Sequence, residues 1–120
     1  MDQGRIGDDV TVGHGRPLTL IAGPCVLEDV DLALRIAETL RKETARRGFQ
    51  YVFKSSYEKD NRGKPTGYGG PGLEKGLEHL ARVRREVGVP VLSDVHREAD
   101  VDAAAEVLDV LQVPAYLCQQ

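Results

Sequence analysis

Short continuous apolar runs alternate along the chain with longer stretches whose apolar residues return every three or four positions. Residues 18–22 (LTLIA) form the first run, closed by Gly23-Pro24. A run without polar alternation suits a strand buried on both faces, as in a parallel sheet. Asp29 then offers an N-cap, and Asp31 places a favourable charge in a first helical turn. Leu32, Ala33, Ile36, Ala37 and Leu40 share one helical face, while Arg35, Glu38, Arg41 and Lys42 take the other. Arg46, Arg47 and Gly48 supply the helix end. The beat recurs. QYVFK (50–54) predicts a second strand, and a Gly-rich loop spans 55–72. Leu73, Leu77, Leu80 and Val87 mark a second helix closed by Gly88. VPVLS (89–93) predicts a third strand, Glu98 to Val107 an Ala-rich third helix, and LDVLQV (108–113) a fourth strand stopped by Pro114. Ahead of these, RIGDDVTV has the pattern of a small two-stranded hairpin.

Strand–helix alternation at this spacing means βαβ units, with parallel strands and right-handed crossovers. Both an open doubly wound sheet and a (β/α)8 barrel fit it, and the polar residues choose between them. Cys25 follows strand one, Lys54 ends strand two, Asp94 ends strand three and Gln112 lies near the end of strand four. A barrel gathers its active site from the C-terminal ends of several successive strands. An open sheet concentrates ligands at one switch point, often behind a G-x-G-x-x-G turn that Gly23-Pro24-Cys25 does not supply. The fold expected is therefore α/β of the TIM-barrel type. Residues 1–120 form a single domain, with 1–17 as the N-terminal hairpin and 18–120 as β/α units 1 to 4, incomplete. Four beats are half of an eight-stranded barrel, so a longer parent chain is expected.

Composition narrows the function. A net charge of −3 and a pI near 5.6 argue against an extended nucleic-acid surface but leave room for a local basic pocket. The start, MDQGRIGDDV, is polar and acidic, unlike a signal peptide. No apolar run approaches the roughly 18 residues that span a bilayer, so a cytoplasmic protein without membrane contact is the expectation. Two cysteines, Cys25 and Cys118, make neither a disulfide framework nor a zinc-type pair.

The polar exit of the second strand holds the densest candidate chemistry. KSSYEKDNR places Lys54, Lys59 and Arg62 within nine residues, and the loop must fold back for all three to converge. Two ammonium groups and a guanidinium would balance a substrate carrying both phosphate and carboxylate. Ser55, Ser56 and Asn61 add neutral donors. The plainer alternative is a solvated loop whose charges pair with Glu58 and Asp60, as exposed charges usually do. Lys54 stands apart from that reading, because it sits at a strand end, where a long charged side chain needs a reason. Cys25 reads as a small hydrophobe, a metal ligand or a nucleophile, with His96 within reach in a barrel. His14 and His79 look incidental, and Cys118, among apolar neighbours, looks structural.

IAGPCVLED, YVFKSSYEKDNR, GGPGLEKGLEHL, PVLSDVH and EVLDVLQVPAYLCQQ resemble, in order, motifs of the 3-deoxy-D-manno-octulosonate 8-phosphate synthases, from about Ile6 to Gln120. A related heptulosonate synthase family shares the G-P-C motif but typically carries Lys-Pro-Arg in the second-strand segment. The resemblance implies condensation of phosphoenolpyruvate with arabinose 5-phosphate, a transferase step of lipopolysaccharide (Kdo) biosynthesis. It implies catalytic roles for Lys54, Lys59 and Asp94. Lys54, Ser56, Lys59 and Gln112 would contact phosphoenolpyruvate, Asn61 and Arg62 would hold the sugar phosphate, and His96 would line the wall. It further implies a divalent metal (zinc, iron or manganese) on Cys25, with a histidine, a glutamate and an aspartate from the barrel's second half. Those three are not in this chain. A homotetramer is the implied assembly. Gly63, Lys64, Thr66 and Gly69 replace the usual Ser, Ser, His and Arg, and Gln119 replaces another arginine. All fall on the sugar-phosphate side, so a related synthase with another aldose acceptor is the first alternative. The second is a non-catalytic half-barrel, and these 120 residues alone are expected to be inactive.

Overall fold

The computed structural model describes residues 3–58 and 69–118. A hairpin comes first, β1 (Gln3–Ile6) antiparallel to β2 (Val10–Gly13), with Ile6 opposite Val10. Four strands follow: β3 (Thr19–Ala22), β4 (Gln50–Lys54), β5 (Val91–Asp94) and β6 (Val110–Gln112). They form one parallel sheet in the order β3-β4-β5-β6. The crossovers carry α1 (Val30–Arg46), α2 (Leu73–Val87) and α3 (Val101–Val107). Spatial order follows chain order throughout, without the reversal that defines a doubly wound sheet.

Asp29 caps α1 as expected, its carboxylate accepting the Asp31 N–H at 2.9 Å. β4 and the Gly88 end of α2 also fall as expected, whereas β5, β6 and α3 start later than the periodic pattern for identifiable reasons. Pro90 has no N–H to give a ladder, so β5 begins at Val91. The Asp109 carboxylate accepts the Val91 N–H at 3.0 Å, and β6 starts only at Val110. Glu98–Asp100 winds as a 3-10 turn before α3, with the Asp100 N–H on the Arg97 carbonyl at 3.0 Å.

The strand alternation sorts side chains onto two faces. Tyr51, Phe53 and Val91 pack with Ala33, Ala37, Leu77, Leu80, Val83 and Ala104, so all three helices share one face. Val52 and Leu92 face the other way and pack with Val10, Ile6, Val12 and Val110. The hairpin therefore covers the N-terminal end of the inner face. Gln50 tethers it: its amide oxygen accepts the Thr11 N–H at 3.0 Å, and its amide nitrogen donates to the Thr11 carbonyl at 2.8 Å. Among the described residues nothing pairs with the outer edges of β3 and β6, and Ile21 (47 % exposed) and Val113 (56 %) lie open there. No helix of the described residues is long and apolar enough to cross a membrane.

Close approach governs one helical position. A Cβ on Gly76 of α2 would stand 2.3 Å from the Tyr57 Cβ. Alanine there gains up to ~1 kcal/mol of helix propensity, yet overpacking costs ~1 to 3 kcal/mol, so the clash wins. Gly76→Ala is expected to lower stability by roughly 1 to 2 kcal/mol in chemical denaturation. Unchanged or raised stability would show that α2 shifts freely away from Tyr57.

Candidate functional site

Residues two apart along a strand share a face, so Lys54 and Ser56 follow Val52 onto the inner face. By the same rule Asp94 follows Leu92 and Gln112 follows Val110, while His96, past the end of β5, reaches this group through its contact with Asp94. The register sets these ends side by side: Lys54 lies opposite Leu92, and Asp94 opposite Gln112. Polar groups from three adjacent strands thus crown an apolar floor made by Val10, Val52 and Leu92. The hairpin closes the opposite end, so the polar end is the one left for a ligand.

The β3 end joins this wall through backbone contacts. Ser55, 1 % exposed, donates its hydroxyl to the Pro24 carbonyl at 2.7 Å. The Ser56 N–H donates to the Cys25 carbonyl at 3.3 Å, and the Leu27 N–H to the Ser56 carbonyl at 2.9 Å. These bonds extend the β3–β4 pairing beyond the strands, as the Val26–Ser56 bridge records. Gly23 makes the approach possible, since a Cβ there would lie 2.0 Å from the Lys54 carbonyl oxygen. The Gly-Pro-Cys turn therefore fixes the backbone that carries Lys54.

Side chains then join the strands. The Ser56 hydroxyl donates to Asp94 Oδ1 at 2.5 Å. Asp94 Oδ2 stands 3.3 Å from His96 Nε2, whose side chain is 7 % exposed. That nitrogen makes no hydrogen bond among the described residues. A buried polar atom without a partner is costly unless a ligand or water completes it. Here it lies beside a carboxylate on the wall.

Cys25 is exposed at the mouth beyond β3. Among the described residues no three His, Cys, Asp or Glu side chains gather as a metal site. Cys25 offers one soft donor, which does not hold a metal by itself. Lys59, Asn61 and Arg62 lie outside the described residues, as do Gly63, Lys64, Thr66 and Gln119. His14 is exposed after β2, and His79 sits on α2, where burial holds its imidazole below the usual histidine range. Cys118 is exposed on the turn after β6, its Sγ 3.6 Å from the Pro114 carbonyl oxygen.

The sequence pattern missed the supports behind the wall. Glu58 pairs with Arg97, whose guanidinium holds the carboxyl below the usual glutamate range. Tyr57 is fully buried and donates its hydroxyl to Asp100 at 2.8 Å. No periodicity announces these contacts, which join residues 39 and 43 positions apart. The one available signal was Tyr57 itself, an aromatic embedded in an otherwise polar run.

Residues 2–120 match the family model described as the DAHP synthetase I family. The chain belongs to that family. It is 52 % identical over 114 residues to the 2-dehydro-3-deoxyphosphooctonate aldolase of Desulfotalea psychrophila, covering 95 % of this chain and 41 % of that protein. Proteins of the same name from Verminephrobacter eiseniae and Paracidovorax citrulli are 57 % and 55 % identical over 109 residues, 91 % of this chain and 38 % of theirs. The chain spans about two fifths of the length of these curated relatives. That likeness is to the octulosonate-type proteins within the broader family, as the KSSYEKDNR segment implies.

Ser56 and Asp94 form the most direct link between two strand ends. Removing a donor to a partly buried carboxylate costs ~1 to 2 kcal/mol. Ser56→Ala is expected to lose that much in chemical denaturation, while Ser56→Thr, which keeps the hydroxyl, retains most of it. Equal stability of Ser56→Ala and the parent would show that the bond adds nothing.

Proposed function

We propose that this chain supplies the phosphoenolpyruvate side of a 3-deoxy-aldulosonate-phosphate synthase, built on the first four β/α units of an eight-stranded barrel. The observation that carries this reading is the convergence of Lys54, Ser56, Asp94, His96 and Gln112 on one inner wall at successive strand ends. The likeness to 2-dehydro-3-deoxyphosphooctonate aldolases supports the reaction class.

In the reaction, C3 of the enol attacks the aldehyde carbon of arabinose 5-phosphate, water adds at C2, and inorganic phosphate leaves with cleavage of its C–O bond. Lys54 and Lys59 neutralise the carboxylate and phosphate of phosphoenolpyruvate and stabilise oxyanionic charge as it develops. Ser56 and Gln112 fix the orientation of that substrate. Asp94, pinned by Ser56, stands beside the reacting carbons, and the buried His96 Nε2 lines the wall next to it. Asn61 and Arg62 hold the sugar phosphate. Cys25 would give one thiolate to a divalent metal, which would need further donors and would supply Lewis-acid chemistry at this end of the wall. Within this reading the protein is a cytoplasmic homotetramer, and the net charge of −3 over these 120 residues argues against an extended nucleic-acid surface on this part of it.

The replacements at Gly63, Lys64, Thr66, Gly69 and Gln119 favour a second reading of the acceptor alone, in which another aldose phosphate takes the place of arabinose 5-phosphate. Lys64 restores charge as a point rather than a bidentate fork. Both readings are tested in the full-length protein by phosphate release from phosphoenolpyruvate with a panel of aldose phosphates. Lys54→Met is expected to lower turnover on the order of 10²-fold or more. Preference for a sugar other than arabinose 5-phosphate selects the second reading. No phosphoenolpyruvate consumption with any aldose phosphate, or full activity in Lys54→Met, would overturn both.

A further inference from the structure

Behind the inner wall, the exits of β4 and β5 are tied into a closed ring of side chains. Tyr57, fully buried, donates its hydroxyl to Asp100 Oδ2 at 2.8 Å and accepts the His96 backbone N–H at 3.2 Å. Its ring meets the His96 imidazole edge to face, with centroids 5.2 Å apart and planes at 81°. Asp100, 5 % exposed, stands 3.5 Å from Arg97. Arg97 forks onto both Glu58 oxygens at 2.7 and 3.0 Å. Glu58 follows Tyr57 in the chain, so the ring closes through a peptide bond.

Its composition is poorly suited to stability. Arg97 and Glu58 side chains are 53 % and 36 % exposed, and pairs so open to water add little to folding. A bidentate fork nevertheless defines direction, because the planar guanidinium accepts one carboxylate geometry. Asp100 adds a buried acceptor that constrains the phenol. The phenol in turn reaches His96 by its oxygen and by its ring. His96 Nε2 is buried, makes no hydrogen bond among the described residues and stands 3.3 Å from Asp94 Oδ2. Beside that carboxylate, the contact that meets the imidazole ring is the Tyr57 ring.

We propose that Tyr57 is a positioning residue for His96, held by Asp100, Arg97 and Glu58, and that the ring sets the imidazole angle at the reacting end of the inner wall. This rests on the synthase reading of the wall. Tyr57 touches no substrate; it acts through His96.

The test uses full-length protein with histidine-selective labelling, the His96 imidazole signal being assigned by its loss in His96→Gln. Tyr57→Phe keeps the aromatic edge and removes the hydroxyl. It is expected to shift or broaden the His96 signal and to lower kcat about ten-fold, with KM for phosphoenolpyruvate changed less than about two-fold. Glu58→Gln, a surface change that does not threaten folding, is expected to move the same signal in the same direction, more weakly. The double variant should lose less than the product of the two single losses, because both act through one ring. An unmoved His96 signal in both variants overturns the proposal, as does multiplicative loss with the signal unchanged. If the parent protein consumes no phosphoenolpyruvate, the synthase reading falls, whereas the His96 signal still decides the positioning role.

Discussion

Everything in this structure depends on a two-residue period. In a parallel sheet covered on both faces, successive side chains must serve opposite layers. Tyr51 and Phe53 anchor the helices, whereas Val52 meets the hairpin and Leu92. That division leaves Lys54 and Ser56 no choice of side. Slipping β4 by one residue would put Lys54 among the helices and Phe53 on the polar rim, exchanging a buried aromatic for a buried cation. The core therefore enforces the site.

The same constraint explains why the polar wall can be built with few direct contacts. Backbone bonds from Ser55 and Ser56 to the Pro24 and Cys25 region lock β3 beside β4, and Gly23 removes the side chain that would hold them apart. Ser56 then crosses to Asp94, and the β5–β6 register delivers Gln112 beside it. Lys54 is carried by this frame, its backbone placed by neighbours and, among the described residues, by no salt bridge of its own. Under the proposed function, a wall arranged in this way would meet an anionic ligand with donors already oriented, which is where electrostatic preorganisation gains its effect.

Much of the frame was legible in the sequence because each apolar run and helical face obeys one period. QYVFK gave β4 with its exact bounds, Gly88 marked the end of α2, and RIGDDVTV formed the expected hairpin. The misplaced boundaries arose where a single residue outweighed the pattern, as Pro90 does at β5 and Asp109 at β6. On the inner wall, Lys54, Asp94 and Gln112 were singled out by their places at strand ends, whereas Ser56 and His96 entered as a loop donor and through the motif resemblance. The Tyr57–Asp100–Arg97–Glu58 ring was not, since it joins distant residues through geometry that no local period encodes. Lys59, Asn61 and Arg62 lie outside the described residues, so the sugar-phosphate side rests on the motif alone.

In the proposed function, the even-numbered ends of β4, β5 and β6 form one anion-binding wall. Its most direct test is a crystal structure of the full-length protein with phosphoenolpyruvate. The account predicts the ligand's carboxylate or phosphate at about 3 Å from Lys54 Nζ, with Gln112 and Ser56 on the same ligand and Asp94 beside its C2–C3 bond. Phosphoenolpyruvate bound on the helical face or at the hairpin end, with Lys54 turned away from it, would contradict it.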